Sequence, residues 1–141
     1  MNDKQILTQI SKAAQMGQYG IQSVMPYASQ PALRQALKYQ RKEYASIQQE
    51  AMNLAKRKGY HLESLGKIPK AMAGISARSH LLSGDRNSKI AGMMIQGSTR
   101  GVIESLQNAG KWNRQDAAVE KLAQKMLQTQ QYNIDQLKGF L

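Results

Sequence analysis

The residues of this sequence that could do chemistry are polar side chains, which interrupt the middle of otherwise apolar helical stripes. A polar group that is buried without a partner costs about 1–3 kcal/mol, so core amides at similar heights are expected to hydrogen bond one another. The spacing therefore predicts one central polar layer. Its expected members are Gln15, Gln18, Gln40, Glu43, Gln96, Gln130 and Asn133.

Four long helices are expected to position this layer. Apolar residues recur along the chain at intervals of three and four, and no segment alternates as a strand does. Pro26 is expected to end the first helix, because it lacks the amide that a continuing helix needs. Ser29 and Asn113 are the predicted N-caps of the second and fourth helices. The predicted helices cover about residues 2–25, 29–58, 87–110 and 113–141.

The third predicted helix has a broad apolar stripe and two glycines. Gly97 and Gly101 are four residues apart and are expected to allow close approach of a neighbouring helix, at a cost of roughly 1 kcal/mol of helix propensity each. Trp112 follows in a short turn and is expected to plug one end of the core. The stripe consists of Ile90, Met93, Met94, Ile95, Val102, Ile103 and Leu106.

Two short connections and one longer one favour an all-α, antiparallel four-helix bundle. The longer connection is expected to contain a short extra helix over Ala71–Leu82, between helices two and three. With 141 residues, the chain is one domain's worth, so we predict a single domain over residues 1–141.

The formal net charge of +11 favours an anionic partner such as nucleic acid, although solvated helix faces also explain a surplus of this kind. Aromatic residues are too few among the basic ones to form an evident stacking platform. The residues expected to contact phosphate under this reading are Arg34, Lys38, Arg41, Lys42, Lys56, Arg57 and Lys58.

Several classes of protein are excluded by composition. The chain has no cysteine, which removes disulfides, thiolate metal sites and cysteine nucleophiles. No uninterrupted apolar stretch approaches ~18 residues, and the polar N-terminal residues do not form a signal peptide. We therefore expect a cytoplasmic protein with no membrane partner and no cofactor.

Three segments carry a family resemblance: QYQRKEYASIQQEA, MMIQGSTRGVIES and LQTQQYNIDQLKGFL. They are similar to the second, third and fourth helices of small ferritin-like bundle proteins of Gram-positive anaerobes. The resemblance covers nearly the whole chain, through loose motifs. It implies a ferritin-like fold.

The resemblance also implies where a di-iron centre would lie. Such a centre takes a Glu from each of two helices and a Glu-x-x-His pair from each of the other two. The paired positions fall on Glu43 with Ser46 and on Gln130 with Asn133, and the single carboxylates fall on Gln15 or Gln18 and on Gln96. Glu43 is the one carboxylate in this set. Neutral amides cannot balance the charge of two iron ions, so we expect no di-iron centre.

Other catalytic motifs are weak. His61 and His80 could form a metal site with Glu63, but histidines in a loop are more often simply solvated. Ser79 precedes His80 without an evident acid partner, so a nucleophile there is poorly supported.

Two functions from different classes remain. The leading prediction is a non-catalytic ferritin-like bundle that acts as a structural or protein-interaction module, as a homodimer or with another protein. The alternative is a basic protein that binds or protects nucleic acid. An enzyme with a degenerate single-metal site at Glu43 is a weaker third possibility.

Overall fold

The computed structural model describes residues 1–65 and 84–141, which form four long helices and no strand. An all-α chain with four helices is therefore confirmed for these residues. The short helix predicted over Ala71–Leu82 lies outside them. The helices are α1 (Asp3–Val24), α2 (Pro31–Arg57), α3 (Arg86–Lys111) and α4 (Ala117–Lys138), and a 3₁₀ turn (Met25–Tyr27) follows α1.

The prediction that Ser29 caps α2 is wrong. The N-cap is Gln30, and its side chain makes no capping hydrogen bond. Asn87 of α3 instead binds the backbone just before α2, because its Oδ1 accepts from the amides of Ser29 and Gln30 at 3.0 and 3.1 Å. Its Nδ2 also donates to Ser29 Oγ at 3.0 Å. One helix thus holds the segment that leads into another, which the local sequence of α2 does not reveal.

The predicted start of α4 is also wrong. Asp116, and not Asn113, is the N-cap, and its Oδ1 accepts from the amide of Ala118 at 2.7 Å. The carboxylate stabilises the positive end of the helix dipole. α3 begins one residue before its predicted range, with Asp85 accepting from the amide of Ser88 at 3.0 Å.

The core is one cluster of apolar side chains contributed by all four helices. Trp112 is buried at one end of it, and its Nε1 donates to Asp3 Oδ1 at 2.8 Å. The indole therefore closes this end of the core, as predicted, and its polar edge is satisfied by a buried carboxylate. Arg114 lies over the same ring, with its Cζ 5.7 Å from the ring centroid.

The apolar stripe predicted for α3 is only half correct. Ile90 and Met94 are buried, but Ile103 and Leu106 are 51% and 54% exposed. The C-terminal half of α3 therefore directs its large apolar side chains away from the core.

Contacts at the two ends of the helices fix how the chain runs. The starts of α2 and α3 meet through Asn87, and the Arg34 guanidinium donates to the carbonyls of Met25 and Ala28 at the end of α1. At the other end, Lys58 after α2 pairs with Asp116 before α4. The end of α2 and the start of α3 therefore lie at opposite ends of the helices. No described helix has the length and apolar character needed to cross a membrane.

Candidate functional site

Tyr44 is the centre of the polar layer. It is buried on α2, and its hydroxyl accepts from Asn133 Nδ2 of α4 at 3.2 Å. The Ser98 side chain of α3 also lies beside this hydroxyl. One phenol therefore joins three helices at their middle. Burial raises the pKa of Tyr44 above its ordinary value of 10.0, and the Asn133 and Ser98 side chains oppose that shift.

Gly17 of α1 makes the space that the Tyr44 ring fills. A Cβ atom at residue 17 would lie 2.6 Å from Cε2 and 2.7 Å from Cδ2 of the ring. Any larger residue would therefore collide with the aromatic ring. Through Gly17, α1 also contacts Tyr44. All four helices therefore meet at this one side chain, and the polar layer is arranged around it.

Two further amide contacts extend the layer along α4. Gln40 Nε2 donates to Gln136 Oε1 at 3.0 Å, and Ser105 Oγ donates to Gln130 Oε1 at 3.1 Å. The Gln130 amide packs directly against Gly101, where a Cβ atom would overlap it. Gly101 therefore permits a close approach, as predicted. Gly97 does not, because a Cβ atom there would meet nothing within 4 Å.

The polar layer differs from the predicted one in four of its members. Gln96 is exposed on α3, which contradicts its assignment to the interior. Gln15 and Gln18 are only half-buried: Gln15 accepts from the amide of Leu65, and Gln18 donates to Gln48. Glu43 is also half-buried. Gln40, Gln130 and Asn133 are buried as predicted.

The prediction missed Ser98, Ser105, Gln136 and Gly17. Serines and glycines on an apolar stripe are usually interpreted as small core residues, and Gln136 lies beside the stripe of α4 and not on it. Gly17 is itself a sequence signal, since a glycine within a helix allows a neighbouring group to approach the backbone closely.

Asn133 has one unsatisfied atom. Its side chain is 1% exposed, and Oδ1 has no hydrogen-bond partner in the part of the chain that the structure describes. A buried carbonyl oxygen in this state costs free energy that the donor bond to Tyr44 only partly offsets.

The residues that the resemblance assigns to a di-iron centre do not fit one. Ser46 and Gln96 are exposed, and Gln130 and Asn133 bring neutral amides to the interior. The donor set around Tyr44 consists of a phenol, an amide and a hydroxyl, which do not supply the anionic oxygens and imidazoles that iron prefers. In the described ranges, no three His, Asp or Glu side chains come together as a metal site. His61 and Glu63 are exposed, and Glu63 pairs with Lys12, while Ser79 and His80 lie outside these ranges.

The basic residues predicted to contact phosphate divide into two groups. Arg34 and Lys58 are engaged in the contacts at the helix ends described above. The others are exposed on α2, and Lys38 and Lys42 line a surface groove with Tyr39, whose ring is 53% exposed. The exposed members are Lys38, Arg41, Lys42, Lys56 and Arg57.

A cleft of about 100 Å³ lies between α1, α3 and α4 beside Trp112. Its lining is mainly apolar, with Ile10 and Met126 among the contributors. It also brings together Glu104 and Glu120, which the sequence did not predict. Arg114 Nε lies 3.7 Å from Glu120 Oε1, so one of the two carboxylates already has a cationic neighbour.

The fold resembles that of a known structure. A crystal structure of a DUF305 fragment from Deinococcus radiodurans aligns with a TM-score of 0.77 over 97% of this chain and 93% of that chain. The sequences are 14% identical, so the likeness is one of fold alone. No protein-family model and no curated protein matches this sequence.

Proposed function

We propose that this protein is a non-catalytic, ferritin-like helical bundle that serves as a structural or protein-interaction module in the cytoplasm. The observation that carries the proposal is the hydrogen bond from Asn133 to Tyr44 in the middle of the helices. Ferritin-like di-iron proteins place their metal ligands on inward-facing positions of this kind. Here two of those positions, Asn133 and Gln130, form hydrogen bonds with Tyr44 and Ser105.

The path of the chain supports the ferritin-like part of the proposal. Ferritin-like bundles have one long crossover connection, whereas simple up-and-down bundles have short loops throughout. The long connection here joins the end of α2 to the start of α3, and Asn87 brings the starts of those two helices together. Along α2 the residues Gln40 and Glu50 contact Gln136 and Lys125 of α4, so these two helices run antiparallel.

Metal analysis tests this proposal. The protein should be expressed with added iron and manganese and purified without a metal-binding tag. We expect far less than one ion per chain, because a neutral layer cannot balance the charge of the metal. About two tightly bound iron or manganese ions per chain, the number in the di-iron proteins, would overturn the proposal.

A variant at Glu43 tests the weaker single-metal alternative. Glu43→Gln removes the one carboxylate among the residues that the resemblance assigns to a di-iron centre. We expect its thermal stability to be the same with and without added Mn²⁺, as for the unaltered protein. Stabilisation by Mn²⁺ that disappears in Glu43→Gln would instead indicate a metal-dependent enzyme.

Nucleic-acid binding remains the second candidate, and the groove on α2 favours it. Lys38 and Lys42 line this groove together with the exposed Tyr39, so charge and a stacking surface occur together. For this function, affinity for single-stranded DNA must fall steeply with salt concentration, as counterion release requires.

Matched charge reversals separate a specific groove from the general positive charge. Lys38→Glu with Lys42→Glu should weaken DNA binding strongly, whereas Lys121→Glu with Lys4→Glu, which reverses two exposed charges elsewhere, should weaken it less. If the two double variants weaken DNA binding equally, the binding is a non-specific attraction to the positive charge of the protein. Binding that is absent or does not change with salt would rule out this function.

A further inference from the structure

The cleft beside Trp112 is bounded on one side by a single face of α3. Its lining residues on that helix and just after it include Gly101, Ser105, Asn108 and Trp112. They follow one another at intervals of four, three and four, so they lie on the same side. The first three are small, which leaves room between α3 and the helices beside it. The cleft of about 100 Å³ therefore follows from the sequence of α3.

The inner wall of the cleft is apolar. Ile6 and Ile10 of α1 and Met126 of α4 line it, and all three are buried. A dry apolar cavity of about 150 Å³ in another protein takes up benzene. The smaller cleft here has room for a short alkyl chain, whose transfer from water to an apolar wall is favourable.

The charged side chains of the cleft carry a net negative charge. Glu104 of α3 and Glu120 of α4 line it, together with Arg114 from the turn between these helices. Arg114 Nε lies 3.7 Å from Glu120 Oε1, whereas Glu104 is exposed and forms no ion pair within residues 1–65 and 84–141. Two carboxylates and one guanidinium leave a surplus of one negative charge. This local charge is opposite to the net charge of +11 of the whole chain.

We propose that this cleft binds a small primary alkylammonium ion. The alkyl chain lies against Ile6, Ile10 and Met126, and the ammonium group stays at the mouth of the cleft beside Glu104. A cation there gains a charge-assisted hydrogen bond to the carboxylate and keeps part of its hydration. A neutral ligand of the same shape leaves Glu104 without a cationic partner, and an anion is repelled by it. The charge of the cleft thus selects the class of ligand, and the volume limits the length of the chain.

Trp112 provides the signal for the first experiment, because it lines the cleft and is the one tryptophan of the chain. Its fluorescence is followed while n-pentylammonium is added at constant ionic strength. We expect saturable binding with a dissociation constant of about 1 mM, which is within the range for a ligand of this size. Isothermal titration calorimetry measures the same affinity without relying on fluorescence.

Three matched compounds separate the effect of the charge from that of the chain. n-Pentanol keeps the chain without the charge and should bind about fivefold more weakly. Pentanoate reverses the charge and methylammonium removes the chain, and neither should reach saturation. A protein with a net charge of +11 attracts anions in general, so a preference for n-pentylammonium over pentanoate identifies the negative charge of the cleft.

Substitutions locate the ligand on the protein. Glu104→Gln keeps the size of the side chain and should weaken n-pentylammonium binding about fivefold, with n-pentanol binding unchanged. Asp135→Asn is the matched control, because it removes an exposed carboxylate of α4 that does not line the cleft. It should change neither affinity. Ala109→Leu places a larger side chain in the cleft and should weaken the binding of both ligands.

Equal binding of n-pentanol and n-pentylammonium, or an unchanged affinity in Glu104→Gln, would overturn the proposal. Undiminished binding in Ala109→Leu would also overturn it, since the ligand would then lie elsewhere, as would the absence of binding by both methods. Glu104 is exposed, so Glu104→Gln should keep the fold and tests the proposal even if Ala109→Leu does not fold. The proposal is independent of the function proposed above, because metal content and ligand binding are measured separately.

Discussion

The ring of Tyr44 lies against the backbone of Gly17, with its Cε2 atom 2.6 Å from the position that a Cβ atom at residue 17 would occupy. The hydroxyl at the other end of the ring accepts a hydrogen bond from Asn133 and lies beside Ser98. The ring therefore cannot withdraw from Gly17 without breaking that hydrogen bond. A methyl group at residue 17 must displace either the ring or α1.

We expect Gly17→Ala to destabilise the protein by about 1–2 kcal/mol. Overpacking of a core typically costs about 1–3 kcal/mol, whereas Ala in place of Gly inside a helix gains up to about 1 kcal/mol. The collision is the larger effect because the ring is fixed at both ends. The free energy of unfolding in urea measures the difference.

Gly97→Ala is the matched control, since it also lies inside a long helix but a Cβ atom there would meet nothing within 4 Å. It should stabilise the protein by roughly 0.5–1 kcal/mol. Stabilisation by both substitutions would mean that Tyr44 can move freely.

The sequence predicts the helices well and the orientation of their polar residues less well. Periodicity identifies which segments are helical, and it correctly predicts that Gln40, Gln130 and Asn133 are buried. It fails at Gln96 because the apolar residues of α3 lie on two sides, so the stripe alone cannot fix which one enters the core. It also fails at the start of α2, where the backbone before the helix is bound by Asn87, far away in the sequence.

Tyr44→Phe tests the centre of the layer. The substitution leaves Asn133 without an acceptor for its amide and should cost about 1–3 kcal/mol. Tyr132→Phe, at an exposed position, should change stability by less than about 0.5 kcal/mol. Equal and small effects at both positions would mean that the Tyr44 hydroxyl is solvated.

Alkaline pH provides an independent test of the same group. Burial raises the pKa of Tyr44 above 10.0, so above that pH the unfolded chain loses a proton that the folded protein retains. Its contribution is fully present below pH 10 and is lost as the pH rises through the folded pKa. Urea unfolding at successive pH values should show a steeper loss of stability above pH 10 in the unaltered protein than in Tyr44→Phe. If the two proteins lose stability equally above pH 10, the raised pKa of Tyr44 is contradicted.

The contact between Ser105 and Gln130 should behave as a coupled pair. Gln130→Leu alone leaves the Ser105 hydroxyl without its acceptor and should cost about 1–3 kcal/mol. Adding Ser105→Ala should recover much of that loss, because an apolar pair leaves no polar group unsatisfied. Gln96→Leu, at an exposed position, should be nearly neutral. Additive losses in the double variant would show that the two side chains are independent.

The ion pair between Lys58 and Asp116 should make stability depend on acidic pH. The hydrogen bond from Lys58 holds the pKa of Asp116 below its ordinary value of 3.8. The stabilisation is therefore present above pH 3.8 and is lost as the pH falls through the lowered pKa. Asp116→Asn keeps the cap on the amide of Ala118 but removes the charge, so it removes the ion pair and the charge–dipole interaction together. We expect this variant to unfold at a lower urea concentration than the unaltered protein at neutral pH, and the gap to close in acid. Asp135→Asn breaks the more exposed pair with Lys138 and should show a smaller gap. If the difference in unfolding urea concentration between Asp116→Asn and the unaltered protein stays constant down to the lowest pH, the lost stability comes from a weaker cap and not from the charge.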